Sequence, residues 1–71
     1  MDRPIEILLL EDNRADERWF QIVLDEANIA HHLSVVSAGD DAIRFLMKEH
    51  PYGGAPTPDI VFHGGDLADG Y

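Results

Sequence analysis

Between Ile5 and Asn13 the chain reads IEILLLEDN: five large aliphatic side chains in six positions, then two adjacent carboxylates. A run that is apolar at consecutive positions, interrupted only by Glu6, cannot be a strand with one wet face. It reads as a strand buried on both sides, which needs a layer of structure over each face. Pro4 suits the first residue of such a strand, where no ladder hydrogen bond is lost. Glu11 and Asp12 fall just beyond its end, where a hard cation could accept oxygen ligands without entering the core.

The rest of the chain supplies those layers. Asn13 is placed as a helix N-cap, with Asp16 and Glu17 in the first turn facing the positive end of the dipole. The helix is expected from about Arg14 to Ala27, with Phe20, Val23, Leu24 and Ala27 as one apolar stripe and Trp19 at its border. NIAHH follows as a polar loop, then LSVV as a short strand. A second helix is expected from about Asp40 to Glu49. It has Ala42, Phe45 and Leu46 on one face and Ile43 and Met47 at the margin. PYGGAPTPD holds three prolines and two glycines, too many breakers for an element interior, and reads as an exposed loop. IVF is the third strand, and HGGDLADGY is a Gly- and Asp-rich tail. Strand, helix, strand, helix, strand is the pattern of an α/β fold with a parallel sheet, in one domain over residues 1–71. Ligands of such sheets gather at the carboxyl ends of the strands.

Charge and residue usage exclude several functions. A formal net charge of -9, with Lys48 the one lysine, argues against a nucleic-acid surface, which needs clustered cations. The absence of cysteine removes disulfides and thiolate zinc sites. No apolar run approaches a membrane span, and MDRPIE lacks the regions of a signal peptide, so no membrane association and a cytoplasmic location are expected. His31 and His32 are adjacent, and neighbours in a strand would point to opposite faces, so a polar loop is expected there and not a metal pair. His63 reads as a strand-end histidine with no catalytic role. YGG and HGG lack the length and the lysine of a phosphate-binding loop.

ILLLEDN, SAGDDAIRFL and PYGGAPTPDIVF, in that order and spacing, make the chain similar to the first part of a response-regulator receiver domain, roughly its first three-fifths. The resemblance implies a truncated flavodoxin-like fold, strand order 2-1-3, and a place in a phosphorelay. It implies Mg²⁺ held weakly by Glu11 and Asp12, with Asp66 at the position whose backbone carbonyl completes the site. It also implies a histidine kinase or another two-component protein as partner. In that family PDIVF is followed by one apolar residue and then by the aspartate that accepts the phosphoryl group. Here those two positions are His63 and Gly64, and glycine has nothing to phosphorylate. Asp69-Gly70 resembles the family's following turn and supports this register. The reading is a pseudo-receiver, not an enzyme, that acts through protein contacts. The alternatives are residual metal-dependent phosphoryl chemistry using His63 or Asp66, the latter as acceptor in a shifted register, and an inactive fragment of a longer regulator. The family's fourth and fifth strands, with its hydroxyl residue and lysine, would lie beyond Tyr71. A sheet that stops at the third strand leaves a bare edge and thinly covered faces, from which self-association is expected, most simply as a homodimer and otherwise as a higher homo-oligomer.

Overall fold

A computed structural model describes residues 3–64. Its elements run β1 (Ile5–Leu10), α1 (Arg14–Glu26), β2 (His31–Val36), α2 (Gly39–Met47) and β3 (Ile60–His63). All strand pairing is parallel and the sheet order is β2-β1-β3, the expected truncated receiver arrangement. β1 takes the centre because it alone is apolar on both faces: Ile7, Leu8 and Leu9 are 4%, 0% and 1% exposed.

Register assigns each face to one helix. Ile7 and Leu9 stand beside Leu33 and Val35 on one side and Ile60 and Phe62 on the other. α1 covers this face, and the Phe20 ring meets Phe62 edge-on at 5.1 Å. On the opposite face Leu8 and Val36 pack with Ala42 and Phe45 of α2, with Leu10, Tyr52 and Ala55 closing the cluster. The helices of two successive crossovers that run in opposite directions across a sheet fall on opposite faces when both are right-handed.

Asn13 caps α1 as expected: its extended backbone lets Oδ1 accept from the N–H groups of Ala15 and Asp16 at 2.8 and 3.2 Å. α2 is shorter than the expected 40–49. Lys48 enters the left-handed region at φ 56°, and the N–H of Glu49 donates back to the Arg44 carbonyl at 2.8 Å, which ends the helix at Met47 instead of Glu49. Three apolar residues of the expected stripes are exposed: Val23, Ala27 and Leu46. Leu46 is 47% and Val23 42% exposed, because no described element packs over those helix flanks.

The polar loop expected at His31 and His32 is instead the start of β2. Ile5 and Glu6 of β1 pair with them and extend the ladder. The two rings do point to opposite faces. His31 reaches Gln21 of α1 at 2.8 Å, and His32 reaches the Glu6 carboxylate at 2.9 Å.

Asp59 fastens the entry of β3 to the start of the chain. Arg3 donates to both its carboxylate oxygens, at 2.8 and 2.7 Å, and the Glu6 N–H donates to Oδ2 at 2.9 Å. These bonds favour the ionised form, the Arg3 guanidinium most, and lower the Asp59 carboxyl from its ordinary 3.8 to about 2. A carboxyl lowered in the folded state stabilises the fold in full above its ordinary value, and that contribution disappears as pH falls through the lowered one. The urea midpoint is therefore expected to fall as pH drops from above 3.8 toward 2, and Asp59→Asn should remove part of that slope. An Asp59→Asn protein with an unchanged acid limb would contradict this assignment.

Candidate functional site

The carboxyl end of the sheet gathers the residues singled out by sequence. Glu11 directly follows β1, and its N–H donates to the Val36 carbonyl at the end of β2, at 2.9 Å. Gly64 directly follows β3, and its N–H donates to the Leu10 carbonyl at 2.8 Å. The pairing of Leu10 with His63 therefore brings Glu11 and Gly64 side by side. Ser37, Arg14 and Glu17 join Glu11 and Asp12 around a shallow depression of about 420 Å³.

The two carboxylates of the acidic pair face different surroundings. Asp12 is exposed. Glu11 is only 6% exposed, and its Oε2 accepts from the Asn13 N–H at 3.0 Å. Asn13 in turn caps α1, so the three consecutive residues Glu11, Asp12 and Asn13 link the sheet end to a helix N-terminus, where negative charge is favoured. The Glu11 carboxylate leans over Gly64: a Cβ placed on that glycine would lie 1.9 Å from Oε1 and 2.9 Å from the carboxyl carbon.

Two carboxylates at a strand end are hard oxygen donors suited in kind to a divalent cation. As seated, however, Glu11 is turned toward Gly64, and among the described residues no three His, Cys, Asp or Glu side chains are grouped for a metal. Asp66, the third expected position, lies outside the described residues. His63 ends β3 with its side chain exposed. Sequence reasoning did not identify Arg14, Glu17 and Ser37 as neighbours of the pair. Their signal is positional, since all three lie just past the ends of β1 and β2, or in the first turn of α1. The inward turn of Glu11 was missed too, although adding one residue to each of two paired strands places it against Gly64.

Comparison with known proteins gives a consistent picture. Response regulator Rcp1 of Synechocystis sp. (strain ATCC 27184 / PCC 6803 / Kazusa) is 38% identical over 58 residues, which are 82% of this chain and 40% of the relative. The crystal structure of the Mn(2+)-bound form of response regulator Rcp1 superposes with a TM-score of 0.77 over 82% of this chain and 42% of that one. That of the phosphorylated cyanobacterial phytochrome response regulator RcpA gives 0.74 at 34% identity, over 82% and 41%. No family model matches. The chain thus spans about two-fifths of the length of the relatives it matches.

Proposed function

This chain is homologous to response regulators and folds as part of their receiver domain, and on that premise we propose that it is a receiver-like module of two-component signalling. In this reading it accepts no phosphoryl group, has no enzymatic activity, and works through contacts with a histidine kinase or another two-component protein. One observation carries the reading. Gly64 occupies the end of β3 beside the acidic pair, where a phosphoacceptor would have to present a carboxylate. Phosphoryl transfer needs a nucleophile held in line with the donor, and a hydrogen at Cα offers none.

The expected outcome with Mg²⁺ and a small phosphodonor is no added phosphoryl mass on the intact protein. A phosphorylated Asp66 or His63, located by fragmentation, would overturn the reading in favour of a shifted acceptor.

Two further features belong to the proposal. Glu11 and Asp12, with Asp66, bind Mg²⁺ or a similar divalent cation weakly; that a relative is known in a Mn(2+)-bound form supports this. The chain also pairs with a second copy of itself through β3. The outer edge of β3 meets no other strand among the described residues, and Ile60, Val61 and Phe62 are 40% exposed or more. A like-charged copy, at -9 each, can approach most readily at this edge. Its strand residues carry no carboxylate, and Asp59 at its entry is neutralised by Arg3.

A further inference from the structure

We propose that Gly64 is a positioning residue for the acidic pair: having no side chain, it leaves a socket at the end of β3 that seats the Glu11 carboxylate and withholds it from a cation. The second half of this statement rests on the cation reading given above. The backbone on both sides of the socket is fixed by the sheet. Glu11 donates to Val36 at 2.9 Å and Gly64 donates to Leu10 at 2.8 Å, so neither main chain can retreat. The movable part is the far end of the Glu11 side chain. A Cβ at position 64 would meet Oε1 at 1.9 Å, well inside any real contact, so a seated Glu11 and any side chain at 64 exclude one another.

Burial of a carboxylate to 6% exposure needs compensation, and the seat provides it. Oε2 accepts the Asn13 N–H at 3.0 Å, and the adjacent N-terminus of α1 favours the negative charge. Asp12, the other half of the pair, already faces solvent. For both carboxylates to reach one cation, Glu11 must leave the socket and give up the Asn13 hydrogen bond. Only the unseated fraction of molecules is competent, and the apparent affinity falls in proportion to that fraction. The glycine that removes the acceptor side chain therefore also weakens the cation site, through the conformation of a residue on the neighbouring strand.

The test uses the ¹⁵N-labelled full chain and Gly64→Ala. Without metal, the Asn13 amide is expected to lose its hydrogen-bonded chemical shift in Gly64→Ala and to exchange faster with solvent. In Mn²⁺ titrations, Gly64→Ala is expected to bind roughly tenfold tighter, the scale of releasing one hydrogen bond to a charged group. Gly64→Ala combined with Glu11→Gln should lose that gain. Should Gly64→Ala fold poorly, Glu11→Asp withdraws the carboxylate from the socket without adding an atom and should produce the same two changes. An unchanged Asn13 amide in both variants would overturn the seating. A moved amide with unchanged Mn²⁺ affinity would overturn the claim that seating limits binding. Binding of Mn²⁺ by none of the proteins would remove the cation reading, while the Asn13 amide alone would still decide whether Gly64 seats Glu11.

Discussion

Leu8→Ala is expected to unfold a large fraction of the molecules at 25 °C. Leu8 is fully buried at the centre of the sheet and forms the α2-side core with Val36, Ala42 and Phe45. Truncating a buried leucine to alanine costs about 2–5 kcal/mol, because the lost transfer energy is joined by the cavity left behind. The upper part of that range applies here, since a strand paired on both edges cannot shift to fill the gap. Domains hold about 0.05–0.15 kcal/mol per residue, so a chain this short has little stability to lose. Far-UV circular dichroism with urea titration measures the effect. A loss below about 1 kcal/mol would mean that the core is not centred on Leu8.

The second large effect concerns association. If β3 pairs with its counterpart across a two-fold axis through Val61, Ile60 of one copy lies opposite Phe62 of the other. Both residues are on the face that α1 covers. Two three-stranded sheets then become one of six. Such an interface buries the same patch on both copies. Sedimentation is expected to show a dimer within the micromolar to millimolar range, with an unfolding midpoint that rises with protein concentration. Val61→Lys should abolish both behaviours, because it sets two like charges directly opposite each other at the axis. A monomer throughout that range, with a concentration-independent midpoint, would dispose of the proposed pairing.

The architecture was largely legible, and the reason is visible in β1. A strand apolar on both faces has to be central in a parallel sheet, and the elements after it then have few ways to arrange themselves. Asn13 was readable for a similar local reason, since its side chain bonds within its own turn. Residues whose state depends on a distant neighbour were not. His31 and His32 look like loop by composition, yet β1 recruits them into the ladder through backbone bonds that ignore side-chain type. Leu46 belongs to a regular stripe, but a stripe predicts burial only where something lies opposite, and there its flank is bare. At the site, the resemblance to receiver domains is what put Gly64 at the expected acceptor position, and the proposed function rests on that placing. The inward turn of Glu11 was missed because it depends on a missing Cβ just past another strand, 53 positions away by the difference of residue numbers, and that neighbour becomes visible only once the pairing of β1 with β3 is fixed.

The central place of β1 also has a consequence for synthesis. Translation proceeds from the N-terminus, so among the described elements the most apolar strand is made before both of its neighbours in the sheet, and β3 follows only after β2 and α2. From Leu10 to its partner His63 the ribosome must add 63 − 10 = 53 residues. At about 5–20 residues per second that takes on the order of 3–10 s. β2 can pair with one edge of β1 during this interval, but the other edge stays open to any extended chain nearby. A growing polypeptide that holds such an edge is a substrate for chaperones before it is a folded protein, and its yield in a cell depends on how quickly residues 60–63 follow.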